Sequence, residues 1–220
     1  MSKANERSRF PTTLERLRKR GVEFKYVQDM GPHTKYFYAL DECMRSGLPL
    51  VTIDDDCVYW SWLLSRLVKT SFSSPTKLIG YRVRRIKLAE DGSPLPYSEW
   101  HFCESTDDHP LNFITGVSGA FYPLDFIKIL SLYGDDFTET CLKADDVWIN
   151  YVAAKHDIRV RQVDSAHWDF PQIPGSQRQS LWSTNQRGGN DVQIKRTYDQ
   201  LTLAKLKIAD AAFNTNSNIV

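Results

Sequence analysis

The sequence is short of the features that mark membrane and secreted proteins. No run in its 220 residues approaches the roughly 18 to 20 apolar residues that a membrane-spanning helix needs. Residues 1–9 are polar and lack the apolar segment of a secretory signal. We therefore predict a cytoplasmic protein with no transmembrane segment.

Cysteine clusters and net charge are lacking too. The four cysteines are widely spaced without a C-x-x-C pair, which indicates free thiols rather than disulfides or a zinc site. Because 28 basic and 27 acidic residues leave a net charge of +1, no nucleic acid partner is expected. Apolar residues make up 41% and charged residues 25%, as in ordinary globular proteins. We predict a single domain over 1–220, with a core at about 12–212 and a tail at 213–220.

The most informative stretch runs over residues 48–56, Leu-Pro-Leu-Val-Thr-Ile-Asp-Asp-Asp. β-Branched residues followed by three carboxylates predict a buried strand that ends in acids. Because side chains alternate along a strand, Asp54 and Asp56 are expected on one side and Asp55 on the other. Two such carboxylates are costly to ionise together unless a cation lies between them. Oxygen ligands suit Mg²⁺ or Mn²⁺, so the stretch predicts a divalent-metal site for a phosphorylated ligand; a plain acidic turn is the alternative.

The surrounding pattern predicts alternating helices and strands. A capping box begins a helix predicted over 12–20. Alternation predicts a strand over 22–27, followed by a helix from Thr34 to Gly47. Strand, helix and strand in this order indicate a βαβ crossover with a parallel sheet. The other predicted segments are helices at 59–69, at 123–132, from 144 and at 191–212, strands at 78–84 and 158–163, loops at 87–98 and 171–190, and a disordered tail at 214–220.

Two further features bear on a site. Gly116 and Gly119 interrupt an apolar run, where glycine marks a bulge or a close backbone approach to a ligand, with tight strand packing as the alternative. Their spacing differs from G-x-G-x-x-G, so no dinucleotide site is predicted. Asp145 and Asp146 open a helix, a position that favours acids through capping and the helix dipole even without catalysis.

Five motifs occur in an order that resembles one known family. They are Gly31-Pro32-x-Thr34-Lys35, Val51-x-Ile53-Asp54-Asp55-Asp56-x-Val58-Tyr59, Gly80-Tyr81-Arg82, Thr115-Gly116-Val117-Ser118-Gly119-x-x-Tyr122-Pro123 and Ala144-Asp145-Asp146-Val147-Trp148. Together they resemble the GT-A-fold glycosyltransferases of the microbial and viral type related to glycosyltransferase family 2. Leu181-Trp182-x-x-Asn185 followed by Asn190-Asp191 is similar to that family's end, so the resemblance covers roughly residues 12–200.

The resemblance implies an α/β domain with a GT-A-like mixed sheet flanked by helices. It also implies metal-dependent, inverting transfer of a sugar from a nucleotide-sugar donor, with a UDP-sugar favoured, to a glycan or glycolipid acceptor. Related chains begin with a strand, a helix and a second strand that this sequence lacks. Those strands lie between the counterparts of 22–28 and 48–53, so the resemblance implies an N-terminally truncated domain.

The resemblance also assigns roles around the metal and the donor. Asp56 would ligate Mn²⁺ or Mg²⁺, and Asp54 would share the metal or contact the donor's ribose. Asp55 belongs to the donor-binding group without an assigned role of its own. Lys35 would neutralise the diphosphate or touch the nucleotide, with a solvated lysine at a helix start as the alternative. Gly116 and Gly119 would let the backbone approach the donor sugar.

The remaining roles concern proton transfer and closure of the site. Asp146 would act as the base, with Asp145 shaping the site, because the acceptor hydroxyl titrates far above neutral pH. His167 would be an extra metal ligand or, alternatively, a hydrogen-bonded structural histidine. Trp168 and Trp182 would stack on sugar or close the site, with packing as the alternative.

Two other classes of function stay open. One is a non-catalytic glycosyltransferase remnant or carbohydrate-binding module, which the missing amino-terminal strands favour. The other is a metal-dependent phosphotransfer enzyme such as a nucleotidyltransferase, whose product would retain a phosphate from the donor.

Overall fold

A four-stranded mixed sheet carries the acidic stretch at one edge. In order across this sheet, its strands are β1 (Leu50–Thr52), β5 (Ala120–Tyr122), β2 (Leu78–Gly80) and β6 (Val160–Gln162). A separate two-stranded sheet pairs β3 (Val83–Arg85) with β4 (Asn112–Ile114). This arrangement comes from a computed structural model that describes residues 11–175 and 189–217.

Helices flank the sheets and complete an α/β domain. Within the described ranges they are α1 (Thr12–Lys19), α2 (Leu40–Ser46), α3 (Leu63–Phe72), α4 (Leu124–Ser131), α5 (Phe137–Thr140), α6 (Asp145–Lys155), α7 (Asn190–Thr197) and α8 (Gln200–Ser217). Short 3-10 turns cover Gly31–Lys35, Phe37–Ala39, Tyr97–Glu99 and Gly116–Ser118. In this part of the chain, none of the helices combines the length and apolar character needed to cross a bilayer.

The pairing of β1 contradicts the predicted parallel crossover. Central strand β5 is antiparallel to both neighbours, with Phe121 opposite Val51 of β1 and opposite Ile79 of β2. Only the pairing of β2 with β6 is parallel among the described strands. Residues 22–27, predicted as a strand, have no regular secondary structure, and Tyr26 is 80% exposed. An alternating pattern becomes a strand only where another backbone supplies hydrogen-bond partners, which sequence periodicity does not report.

The helix predicted from Thr34 to Gly47 begins later than expected. Residues 31–39 form two tight turns, and the Thr34 hydroxyl accepts a hydrogen bond from the Met30 N–H (2.9 Å) instead of capping a helix. The turns bury the side chain of His33, which an early helix start would redirect. Gly47 ends the helix in the left-handed conformation (φ 68°), as predicted.

Helix boundaries elsewhere also differ from prediction. Glu15 pairs with Arg18 and Pro11 is the N-cap of α1, so the capping box predicted at Thr12 is not formed. The helix predicted over 191–212 breaks into α7 and α8 because the Asp199 carboxylate accepts the Thr202 N–H (2.7 Å) and starts a new helix.

The chain end also differs from prediction. Helix α8 continues to Ser217, so the segment from 214 to 217 is helical and not disordered. Most of the loop predicted at 171–190 lies outside the described residues, as do the motif residues Leu181, Trp182 and Asn185.

Helix α6 is the buried helix of the domain. Residues from Val147 to Ala153 are all buried. Among them Asn150 joins α6 to the end of β4: its amide oxygen accepts the Ile114 N–H (2.8 Å) and its amide nitrogen donates to the Ile114 carbonyl (2.8 Å). The same nitrogen donates to the Asp146 carbonyl (2.7 Å). This side chain therefore ties the start of α6 to the loop that follows β4.

We predict that Asn150→Ala lowers the free energy of unfolding by about 2–4 kcal/mol, since it leaves both backbone groups of Ile114 buried without partners. Urea denaturation would measure the change. Asn214→Ala, the same truncation at an exposed helical position, should cost less than about 0.5 kcal/mol. Equal stability of the two variants would contradict the conclusion that Asn150 stabilises the contact between α6 and the end of β4.

Candidate functional site

The acidic turn after β1 brings two carboxylates and a thiol together. The ligand atoms of Asp54, Asp56 and Cys57 lie within 4.8 Å of one another. Asp55 is exposed and lies outside this group. Because β1 ends at Thr52, a turn and not strand alternation produces the grouping of Asp54 with Asp56.

Hydrogen bonds from two other parts of the chain hold this turn. The Tyr59 hydroxyl accepts the Asp54 N–H (3.0 Å) and donates to the Val117 carbonyl (2.8 Å). The Ile173 N–H donates to the Asp56 carbonyl (2.7 Å). The acidic turn is therefore fastened both to the glycine-containing loop and to the segment that enters the 171–190 region.

The 3-10 turn at Gly31–Lys35 delivers Lys35 to these acids. Its anchor is His33, whose ring stacks on Phe137 (centroids 3.8 Å apart) and whose Nε2 lies 2.7 Å from the Cys141 carbonyl oxygen. Burial lowers the pKa of His33, which keeps the ring neutral. Gly31 has φ +62°, and a Cβ there would lie 3.3 Å from the Leu142 carbonyl oxygen. The turn thus packs against the segment that leads into α6.

Lys35 connects the end of β1 to the start of α6. Its Nζ lies 2.5 Å from Asp54 Oδ1 and 3.7 Å from Asp145 Oδ2. Burial alone would lower the pKa of Lys35, but attraction to Asp145, Asp54 and Asp146 outweighs it and raises that pKa. Lys35 therefore stays protonated, and the alternative of a solvated lysine does not describe it.

Asp145 and Asp146 occupy the first turn of α6 without capping it. The N-cap is Ala144, and no side chain caps the helix. Instead, Asp146 Oδ1 accepts the backbone N–H of Gly116 (2.8 Å), and Asp145 is buried beside Lys35. Capping of the helix therefore does not account for this acidic pair, although the helix dipole still favours it.

Burial and mutual repulsion shift the titration of these acids. Burial and the charge of Asp145 raise the pKa of Asp146 to about 7, against the opposing effects of Lys35 and the Gly116 N–H. Burial also raises the pKa of Asp54, with Asp145 and Asp56 adding to the effect and Lys35 opposing it. An acid that titrates near neutral pH is suited to accept a proton and release it again.

The two glycines of the 113–122 run differ in their surroundings. A Cβ at Gly116 would lie 3.2 Å from Asp146 Oδ1 and 3.4 Å from Lys35 Nζ, so glycine leaves the backbone open to the site. A Cβ at Gly119 would lie 3.3 Å from Leu63 Cδ1, and its φ of +89° is one that other residues rarely adopt. Gly116 therefore lies in the site, while Gly119 shapes the turn and its packing.

The donor set near Asp54 fits a hard divalent cation. Asp54 and Asp56 supply carboxylate oxygens, the ligands that Mg²⁺ and Mn²⁺ prefer. Burial, with further contributions from Asp56 and Asp54, raises the pKa of Cys57 to about 11, so its thiol stays protonated and is a poor ligand. Two carboxylates with substrate phosphates and water match the way Mg²⁺ is usually held.

His167 lies in a different cluster of contacts. Its ring stacks on Phe102 (centroids 4.0 Å apart), and its Nε2 lies 3.3 Å from Asp169 Oδ2. In the described ranges, the group of potential metal ligands contains Asp54, Asp56 and Cys57, without His167. Its role as a metal ligand stays a prediction.

Of the two tryptophans predicted to stack on sugar, only Trp168 belongs to the described residues. Trp168 packs against Trp60 and Trp62, with ring centroids 5.5 and 5.4 Å away, and its Nε1 donates to Asp164 Oδ2 (2.7 Å). Trp182 lies outside the described residues. Packing thus accounts for the observed contacts of Trp168.

Sequence reasoning missed several residues that build the site. His33 lies between Gly31 and Lys35 in the first motif. A single histidine at that position was the only local indication that this turn is anchored by a buried ring. Tyr59 closes the acidic motif, where its hydroxyl was the signal. Arg84, which donates to the Trp100 carbonyl and forms no ion pair within the described ranges, carried no local signal because its surroundings come from distant segments.

Comparison with known proteins identifies no relative. The chain matches no family model, no curated protein and no solved structure. The proposals that follow therefore rest on its residues, their geometry and the resemblance carried by its motifs.

We predict that Lys35→Met destabilises the protein by about 2–3 kcal/mol at about pH 8, because it leaves partly buried carboxylates without a cation. The folded-state pKa values of Asp54 and Asp146 lie above their usual value. Between about pH 4 and 7 the folded state thus retains protons that the unfolded state has lost, and stability falls as pH rises. Removing Lys35 enlarges this fall, so the deficit should shrink at about pH 5.

Thermal and urea unfolding at both pH values would measure the effect. The matched control is Lys87→Met, which removes an exposed lysine that lies 3.7 Å from Glu99. It should change stability by less than about 1 kcal/mol at either pH. A deficit for Lys35→Met that does not depend on pH would contradict the electrostatic explanation.

Proposed function

We propose that this chain is a metal-dependent, inverting glycosyltransferase with a GT-A-like fold. It transfers a sugar from a nucleotide diphosphate-sugar, with a UDP-sugar favoured, to a glycan or glycolipid acceptor. The observation that carries the proposal is the meeting of the acids after β1 with the acids that open α6, joined by Lys35. Sugar transfer of this kind needs carboxylates that hold a metal beside the leaving group and a carboxylate that accepts a proton from the acceptor, and both must lie close to the sugar.

Asp54 and Asp56 are suited to hold Mg²⁺ or Mn²⁺, which when bound would stabilise the negative charge of the nucleoside diphosphate as it leaves. Lys35 supplies a permanent positive charge beside them. A donor diphosphate would compete with Asp54 for its ammonium group. Lys35 would therefore assist the departure of the leaving group.

Asp146 is suited to act as the base. Its raised pKa, near 7, makes it a stronger proton acceptor than an ordinary aspartate while leaving it ionised in much of the protein. The Gly116 N–H holds Oδ1, so Oδ2 is the oxygen available to accept the acceptor's proton. Loss of that proton strengthens the oxygen nucleophile for attack on the anomeric carbon, opposite the departing diphosphate. That geometry inverts the configuration.

One observation is also compatible with the carbohydrate-binding module. Trp60 is 41% exposed and packs against Trp62 (ring centroids 5.2 Å apart) and Trp168. The Ser118 hydroxyl donates to the Trp168 carbonyl (2.6 Å), so this aromatic surface borders the loop after β4. Aromatic faces of this kind bind sugar rings. Such a surface serves a binding module and an enzyme equally, whereas the paired acids serve an enzyme.

We predict that release of nucleoside diphosphate from a panel of UDP-sugars requires Mn²⁺ or Mg²⁺. Asp56→Ala should lower kcat/KM about a hundredfold or more, since it removes a ligand of the cation that stabilises the leaving group. Chromatography of the products would measure the rate and also identify a nucleotidyltransferase, whose product keeps a donor phosphate.

The matched control is Asp135→Ala, an exposed aspartate between α4 and α5 that should keep full activity. Activity that survives both chelation and Asp56→Ala would reject the metal-dependent mechanism. Calorimetric binding of glycan without nucleotide or metal, together with no turnover, would favour the binding module.

We predict that kcat/KM rises about tenfold per pH unit below about pH 7 and levels off above it, because only ionised Asp146 accepts a proton. Lys35, Asp145 and Asp54 are the charges that set this midpoint. Asp146→Asn keeps the acceptor of the Gly116 N–H, so it should fold normally and lose transfer at every pH. A variant that retained the same pH profile would show that another group is the base.

A further inference from the structure

Two arginines lie together on one side of the β3–β4 sheet. Arg82 and Arg84 are two residues apart, so their side chains extend to the same face, opposite buried Val83. Both guanidinium groups lie over the ring of Phe102, with their central carbons 4.5 and 4.2 Å from its centroid. Arg84 also lies over Tyr97, 4.9 Å from its centroid. The aromatic rings hold two positive charges close together and partly exposed.

One carboxylate balances only part of this positive charge. Asp169 Oδ1 lies 2.9 Å from Arg82 Nε, and its other oxygen lies 3.3 Å from His167. In the described ranges no carboxylate forms an ion pair with Arg84, whereas neighbouring Arg85 pairs with Asp107 (3.0 Å). Arg84 donates to the Trp100 carbonyl (2.5 Å), and its Nε is buried without a hydrogen-bond partner in that same part of the chain. The cluster therefore carries one positive charge more than its carboxylate partner, on two guanidinium groups that belong to partly exposed residues.

This cluster adjoins the acids of the proposed active site. Arg82 Nη1 donates to the Thr115 hydroxyl (3.3 Å), and the next residue, Gly116, donates to Asp146. Burial raises the pKa of Tyr97 to about 12; the charge of Asp146 adds to this effect, and Arg84 and Arg82 oppose it. Tyr97 thus lies within electrostatic reach of the proposed base and of both arginines.

We propose that Arg82 and Arg84 bind a carboxylate or phosphate group carried by the sugar acceptor. Guanidinium groups match the planar, paired oxygens of such anions. Both groups lie over Phe102, and the exposed Asp169 carboxylate already binds Arg82 there, as an anion from solution would. An acceptor bound there by its acidic group directs its hydroxyl across Thr115 toward Asp146. The inference rests on the proposed glycosyltransferase function and narrows its acceptor to an anionic sugar or glycolipid.

The position of the arginine cluster would keep the negative charge of the acceptor apart from the negative charge of the donor diphosphate. The donor diphosphate would bind beside Lys35 and the acidic turn, where Lys35 Nζ would lie 3.4 Å from a Cβ on Gly116. An acceptor anion at Arg84 stays away from those carboxylates and from the leaving group. A neutral hydroxyl would accept only a weaker hydrogen bond from these arginines than an anion would, so they favour an anionic acceptor and take no part in the bond-making step.

To test the proposal, sugar probes are titrated into the full chain at low salt, without metal or nucleotide, and binding is detected by NMR or calorimetry. The probes are D-glucuronate, glucose 6-phosphate and neutral glucose. We expect at least one anionic probe to bind about tenfold or more tightly than glucose. The tighter of the two anionic probes distinguishes a carboxylate-bearing from a phosphate-bearing acceptor.

Three variants locate the binding. Arg84→Gln should lose the preference for anions, and Asp169→Asn should bind the anionic probe several-fold more tightly, because it removes the carboxylate that competes for Arg82. Lys87→Gln removes an exposed charge outside the cluster and should change nothing. If Arg84→Gln does not fold, the exposed variant Asp169→Asn provides the test. Tighter binding of the anionic probe supports the proposal, and unchanged binding contradicts it.

Equal affinity for neutral and anionic sugars overturns the proposal, as does an anion preference that is unchanged in Arg84→Gln and Asp169→Asn. Asp56→Ala separates this outcome from failure of the proposed function. It should lower transfer about a hundredfold or more and leave anion binding intact, since Asp56 lies in the acidic turn and not in the arginine cluster. Transfer to neutral acceptors without anion binding would keep the glycosyltransferase and reject the anionic acceptor.

Discussion

The site depends on the attraction between the ammonium group of Lys35 and the carboxylates around it. Asp54 at the end of one strand and Asp145 at the start of a helix both lie near its Nζ. Carboxylates brought this close in a partly buried space repel one another unless a cation lies among them. The charge of Lys35 therefore allows the end of β1 and the start of α6 to come together, and it limits how far the pKa of Asp146 rises.

Neutral contacts support this charged centre. His33 anchors the turn that carries Lys35, Asn150 joins α6 to the end of β4, and Tyr59 joins the acidic turn to the loop after β4. These bonds join segments that are distant in the chain. The bonds of His33 and Asn150 are buried, and the bond of Tyr59 is partly buried. The loop at 115–119 contacts both charged groups, because Gly116 donates to Asp146 and Thr115 accepts a hydrogen bond from Arg82. The proposed donor diphosphate would thus bind beside Lys35, and the proposed anionic acceptor would bind beside Arg82 and Arg84.

Sequence patterns succeeded where structure is local. The strand before the aspartates, the stop at Gly47 and the helix that opens at Asp145 all follow from residue types within a few positions. Patterns failed where a distant partner decides the outcome. Residues 22–27 alternate but form no strand, and the predicted helix over 191–212 breaks where Asp199 caps a new helix and accepts a hydrogen bond from Tyr151 (2.8 Å).

The sequence by itself determined which chemical groups this protein has to offer: a strand that ends in acids, a helix that begins with acids, and a glycine loop between them. Only the tertiary structure decided that Lys35 pairs with Asp54, that Gly116 donates to Asp146, and that Arg84 lacks a carboxylate partner among the described residues. The physical reason is that local propensity acts through neighbouring residues along the chain. Electrostatic interaction and burial act through space, so they depend on which segments the fold brings together.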